Sequence, residues 1–202
     1  MTANHSLAQR EAAEKGRPPY GLDEILAPVG ADTFFAEYWE KQPLLVHRDD
    51  PEYYSSILTL ADVDGILANS SLGESELRLV ADGKEARISE VIQDTVEGKF
   101  NRLESLYAQY RSGSTVNLVF LHERWPALAA VCQRLATALT SGIHGNVYLT
   151  PAQNRGLTPH HDPHDVFVLQ LYGSKRWTLH PTQTPLPLHE QGYLLPPEGA
   201  GD

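Results

Sequence analysis

Three scarcities narrow this chain before any motif is considered. There is one cysteine, Cys132, among 202 residues, so no internal disulfide can form and no zinc cluster can be built from thiolates. Cys132 falls inside an apolar helical pattern and reads as a small core residue. No apolar run approaches the length of a membrane span, and the polar N-terminus has none of the apolar core of a secretory signal. A reducing, cytoplasmic setting and no membrane partner are the expectations that follow. Positive charge is also short: 16 Lys and Arg stand against 26 Asp and Glu, a net charge of −10. That balance argues against direct nucleic-acid binding and suits a basic protein or peptide, although solubility alone also favours acidic chains. The length suits one domain with a sizeable core.

What is present falls into short elements. Residues 1–20 are polar, end in Arg17-Pro18-Pro19 and read as a mobile tail. Asp32 is the expected N-cap of a helix whose Phe34, Phe35, Tyr38 and Trp39 form one stripe and which Pro43 ends. Leu44 to Val46 is a candidate strand. Thr59 and Asp62 form a capping-box variant opening a helix through Leu67. Leu77 to Val80 and Glu85 to Ile88 read as a hairpin about Asp82-Gly83. A helix is expected over 100–110, stopped by Gly113. A strand is expected over 115–121 and an amphipathic helix over 126–141, with Pro126 in its first turn and Gly142 after its end.

The chain is organised around residues 146–180, which hold four of the nine histidines. Val166 to Leu171, the turn Tyr172-Gly173-Ser174 and Lys175 to Leu179 read as a hairpin. Just before it stands His160-x-Asp162. Residues two apart on extended backbone project to the same side, and an imidazole beside a carboxylate belongs to the ligand set of non-haem iron oxygenases. The same spacing is also that of two polar loop residues. His161 is expected to point away from His160, and Asp165 to cap the turn after Pro163. His164 is a poor third ligand because Pro163 constrains the backbone. His180 and His189 have no partner at a ligating spacing. Trp177 reads as core.

Asn146-Val-Tyr148-Leu-Thr-Pro151, Pro159-His160-x-Asp162, Asp165-Val-Phe-Val-Leu-Gln170 and Gly173-x-Lys175-x-Trp177 together resemble the JmjC/cupin-like 2-oxoglutarate oxygenases. The branch they resemble is that of the ribosomal oxygenases, which hydroxylate side chains of ribosomal proteins. The likeness is strong over 146–180 and runs more weakly back to Phe34. It implies an α+β fold with a double-stranded β-helix, incomplete at the C-terminus. Residues 21–113 would support it and 114–202 would form the partial barrel core. It also implies Fe(II) held by His160 and Asp162, and 2-oxoglutarate as cosubstrate with its far carboxylate on Lys175. Asn146 and Tyr148 would line the cosubstrate pocket. Lys175 by itself also reads as a solvated turn lysine.

In that family the third ligand is a histidine on a late barrel strand, on the order of 50 residues further on. The stop at Asp202 is therefore read first as a truncation. The alternatives are a shortened protein that keeps the fold without the chemistry, and an enzyme that completes its site with His164, His189 or another chain. A barrel lacking its closing strands would expose strand edges and favour association into a homo-oligomer. The expected activity is hydroxylation of a side chain on a basic ribosomal protein. The competing expectation is a catalytically inactive cupin-like module that docks a basic protein.

Overall fold

The hairpin about Gly83 is the seed of the sheet found among the described residues. The structure is a computed structural model and describes residues 20–70, 72–81, 83–87, 99–180 and 186–188. The expected tail lies outside them except for Tyr20, as does His189. β1 (Leu77–Ala81) and β2 (Lys84–Arg87) pair antiparallel. Gly83 turns between them at φ +75°, a conformation that a side chain disfavours. β3 (Thr115–Leu118) pairs with the other edge of β1 and β4 (Val147–Leu149) with β3, so the order is β2-β1-β3-β4 with every pair antiparallel.

Register sorts the side chains onto two faces, because residues directly opposite on neighbouring strands point the same way. Leu118 lies opposite Leu77 and Val147, and Val116 lies opposite Leu79 and Leu149. These six make one apolar face. On the other face Asn117 lies opposite both Arg78 and Tyr148, and Val80 opposite both Thr115 and Glu85. This second face is mostly polar, yet Thr115 and Asn117 are buried.

Two compact units divide the chain. One takes the described residues up to Ile66 with Phe120–Gly145 and Leu169–Ser174; the other takes Leu67–Val119, Asn146–Val168 and the described residues from Lys175 on. In the first unit, α1 (Leu22–Leu26) packs on α5 (Pro126–Leu139), which buries Val131, Cys132 and Leu135 at helical spacing. Arg48 closes α1 by donating through Nη2 to the carbonyls of Glu24, Ile25 and Ala27 at 3.0, 2.6 and 2.9 Å. Its guanidinium stacks over Tyr53 at 4.5 Å. Trp125 enters α5 while its Nε1 donates to the Ile57 carbonyl at 2.6 Å. In the second unit, α4 (Lys99–Arg111) precedes the sheet strand β3, and Gly113 ends it at φ +114°. No helix among the described residues is long and apolar enough to cross a membrane.

The capping box is as read. Thr59 N–H donates to Asp62 Oδ2 at 2.8 Å, Asp62 N–H donates to Thr59 Oγ1 at 3.3 Å, and α3 (Leu60–Asn69) follows. Other expectations need correction. The helix expected from Asp32 is capped by Gly30; it is α2 (Ala31–Thr33), running into a π-helix at Phe34–Tyr38, and Trp39 leaves the helix well before Pro43. Ring contacts of Phe34, Phe35 and Trp39 hold this wider turn together. Leu44 to Val46 forms no strand, and Leu45 is 90% exposed. β3 stops at Leu118 because Phe120 takes a left-handed conformation and starts a 3-10 turn at Leu121–Glu123. Thr140, rather than Gly142, caps α5 in the left-handed region. The hairpin expected over 166–179 has no assigned strand, and Val166, Val168, Trp177 and Leu179 are exposed. Strand character needs a facing ladder as well as an apolar pattern. The fold among the described residues is therefore α+β with a small antiparallel sheet, and the β-helix itself is not seen there.

Leu79, fully buried on the apolar face, should be the sensitive position of this sheet. Leu79→Ala is expected to cost about 2–5 kcal/mol in urea unfolding, whereas Leu45→Ala should stay within about 0.5 kcal/mol. Similar losses at the two positions would contradict the assignment of faces.

Candidate functional site

The polar face of the sheet is tied together by one carboxylate. Glu85 Oε2 accepts from Arg78 Nη1 at 2.7 Å, and its Oε1 accepts from Asn117 Nδ2 at 3.1 Å. One strand further, Thr115 Oγ1 donates to Thr150 Oγ1 at 3.0 Å. Tyr148 completes the row: its ring is about half exposed, while its hydroxyl end lies among these groups. Burial pushes the Tyr148 phenol up from its ordinary value, and the nearby carboxylates of Glu85 and Asp162 push it the same way. Hydrogen bonding with the amides of Asn146 and Asn117 pulls against them. The group is thus a neutral phenol at physiological pH. Among the described residues one buried side-chain polar atom has no hydrogen-bond partner, Asn117 Oδ1.

The segment after β4 runs back over this face. Asn154 lies against Gly113, and a side chain at Gly156 would come to 3.9 Å from Thr115 Oγ1. Thr158 N–H then donates to the Gly83 carbonyl at 3.1 Å. Next comes His160, whose Nδ1 lies 2.7 Å from the Thr158 carbonyl. A carbonyl only accepts, so at this contact Nδ1 is the donor, and in the neutral ring Nε2 is then the nitrogen with the lone pair. A neutral imidazole can ligate through either nitrogen, and a backbone carbonyl is a usual partner for the other ring nitrogen of such a histidine. Asp162, half-buried, follows close enough to Tyr148 to act on it. The pair is therefore held by a loop tethered to the β1–β2 turn, rather than by the expected hairpin.

Asp162, Tyr148 and Asn146 thus come together, with Asn117 and Glu85 added. Those two were missed in the sequence reading. Asn117 did carry a signal, as a polar residue alternating with Val116 and Leu118 in a buried strand. Lys175 is exposed, with its Nζ 4.8 Å from the centre of the Trp177 ring, and partial burial holds its pKa below the usual lysine value. Trp177 is 54% exposed, so it shields this ammonium and is not a core residue. Arg176, His164, Asp165 and His180 are exposed and His161 is half-buried. Among the described residues no group of three or more His, Cys, Asp or Glu could hold a metal ion.

The polar sheet face thus carries Asn117, Tyr148 and Glu85, with Asp162 close to Tyr148 and His160 two residues before it. Residues 121–194 match the JmjC domain. The chain is 31% identical over 188 residues to ribosomal oxygenase 2 of Rattus norvegicus, covering 90% of this chain and 38% of that protein. It is 32% identical over 176 residues to ribosomal oxygenase 2 of Bos taurus, covering 83% of this chain and 36% of that protein. To the bifunctional lysine-specific demethylase and histidyl-hydroxylase NO66 of Culex quinquefasciatus it is 29% identical over 186 residues, covering 91% and 28%. The chain thus spans less than two fifths of the length of these curated relatives. It carries a JmjC domain over residues 121–194 and is homologous to the ribosomal oxygenases.

Gly83 is where the tether can be broken. A Cβ there would sit 2.6 Å from Thr158 Cγ2 at a φ of +75°. In Gly83→Ala, protection of the Thr158 amide against hydrogen exchange should fall by roughly tenfold, the size of one lost hydrogen bond. The Leu79 amide should keep its protection; unchanged exchange at Thr158 would mean that the tether does not hold this loop.

Proposed function

We propose that this chain is an Fe(II)- and 2-oxoglutarate-dependent oxygenase of the JmjC type that hydroxylates a side chain of a basic ribosomal protein. The observation that carries this reading is a histidine whose Nδ1 meets the Thr158 carbonyl, with a carboxylate two residues on that lies close to Tyr148. The relatives' names, ribosomal oxygenase and histidyl-hydroxylase, support the choice of a ribosomal protein side chain. The net charge of −10 supports a basic partner.

The donor set suits the group. Imidazole nitrogen and carboxylate oxygen are ligands for iron, and they would fill two positions while leaving others open for cosubstrate. His160 and Asp162 would hold the metal, Lys175 would pair with the far carboxylate of 2-oxoglutarate, and Asn146 and Tyr148 would line the pocket. The iron and cosubstrate, when bound, would supply the means of activating O2, the oxidant needed to hydroxylate an unactivated C–H bond. The chain's own part is orientation and exclusion of water. Thr158 keeps the proton on His160 Nδ1, so the ring need not change tautomer as metal binds. Tyr148, held as a neutral phenol, can donate to an anionic or carbonyl oxygen without adding charge. Trp177 shields one side of the Lys175 ammonium, which strengthens its attraction for a carboxylate.

Anaerobic titration of the full chain with Fe(II) and 2-oxoglutarate tests the reading. A metal-to-ligand charge-transfer band is expected, lost in His160→Ala and in Asp162→Ala. In Lys175→Ala the band should persist, with 2-oxoglutarate affinity lowered about tenfold or more. Absence of both the band and iron uptake would defeat the oxygenase reading in favour of an acidic docking module.

A further inference from the structure

Helix α5 presents a second row beside its buried stripe of Val131, Cys132 and Leu135. Arg134, Thr137 and Ala138 follow one another at helical spacing and form one wall of an open cleft of about 450 Å³. The other wall is Gly21 to Glu24, the start of α1. All of these residues lie within the first compact unit. The polar groups of the cleft are unevenly engaged. Glu24 Oε2 accepts from the Gly21 N–H at 2.7 Å, and the Thr137 hydroxyl donates to the Gln133 carbonyl at 2.9 Å. Arg134 on one wall and Asp23 on the other make no side-chain hydrogen bond or ion pair among the described residues. Arg134 is half-buried and Asp23 exposed.

The two unpaired charges decide what the cleft can hold. A half-buried guanidinium has lost part of its water and regains the loss from a planar acceptor, which a carboxylate supplies through two parallel N–H···O bonds. A bare carboxylate, however, meets the acids of the α1 wall, and a bare cation meets Arg134. A molecule that carries both charges on neighbouring atoms meets neither objection. Arg134 and Asp23 do not pair with each other, so the space between them is open to such a molecule. Leu22 and Ala138, on opposite walls, offer it apolar surface, and the volume falls within the range of small-molecule sites.

We infer that the α1–α5 cleft binds a free, zwitterionic amino acid, with its carboxylate on Arg134, its ammonium on Asp23 and its side chain against Leu22 and Ala138. This site shares no residue with the one proposed for iron and 2-oxoglutarate, so it stands or falls independently of the oxygenase reading. Water reaches both charge pairs in an open cleft and weakens them, which sets the expected affinity in the millimolar range.

Leucine, 4-methylpentanoate and 3-methylbutylamine share one branched side chain and carry, in turn, both charges, the anion alone and the cation alone. Each is titrated into the full chain at neutral pH while NMR follows the Arg134 Nε–H and the Gly21 amide. Leucine should shift both signals and bind about tenfold tighter than either fragment. In Arg134→Gln its advantage over 3-methylbutylamine should shrink to within about twofold, because the carboxylate has lost its partner. In Asp23→Asn its advantage over 4-methylpentanoate should shrink likewise. Leucine that binds no tighter than one of its fragments would overturn the inference, since a single charge would then account for the cleft. Silence of both signals up to the solubility of leucine would overturn it as well. The comparison of three ligands in the parent chain needs no variant, so it decides even where a substitution disturbs the fold.

Discussion

Everything at the candidate site depends on the register of β3 between β1 and β4. With Asn117 opposite both Arg78 and Tyr148, Leu118 falls opposite Leu77 and Val147, so one face is apolar throughout and the other carries the polar row. A slip of one residue would exchange the faces, bringing Asn117 among leucines and Leu118 against Glu85. The apolar set defends against that. Leu77, Leu79, Val116 and Leu118 are all buried, and exposing them would cost several kcal/mol in lost burial at about 1.5–3 kcal/mol per side chain. The hydrophobic side of this sheet therefore determines where its chemistry stands.

The polar side needs a cover that can meet polar groups. The segment from Thr150 to Asp162 supplies it with backbone and small polar side chains: Thr150 on Thr115, Gly156 passing close to Thr115, and Thr158 bonded to the Gly83 carbonyl. That last bond reaches further than its length suggests. The carbonyl of Gly83 positions Thr158, and the carbonyl of Thr158 meets Nδ1 of His160. A turn glycine is thus connected to the state of an imidazole by two hydrogen bonds, with no side chain of the sheet intervening.

Legibility from sequence followed the range of the forces involved. The α3 capping box, the turn at Gly83 and the proline entry to α5 are set by neighbours within four residues, and each stands where it was read. Leu44 to Val46 failed because three apolar residues do not make a strand without a partner, and Leu45 is left in solvent. The run from Val166 to Leu171 is more instructive. Exposed Val166, Val168 and Gln170 alternate with half-buried Phe167, Leu169 and Leu171, so the period of two is present in the burial although no strand is assigned. The pattern was readable; the ladder depends on distant chain and was not. At the site, His160-x-Asp162 and Asn146-x-Tyr148 were visible as spacings. Glu85 was not, because its partnership with Asn117 spans residues that only the fold brings together.

The two functions open at the outset make different demands on this polar face. A module that docks a basic protein needs its acidic and polar groups outward, where solvent screens them and a partner can reach them. Here Thr115 and Asn117 are turned inward and buried, and one acceptor goes unpaired at a cost of about 1–3 kcal/mol. Docking recovers none of that. A pocket for a small ligand or a single inserted side chain does, because the missing bond is made when the occupant arrives. Asp162 lies close enough to Tyr148 to act on its phenol, two residues after a histidine whose Nδ1 meets the Thr158 carbonyl. The inward placement of Thr115 and Asn117 thus favours the proposed pocket over an exposed docking surface.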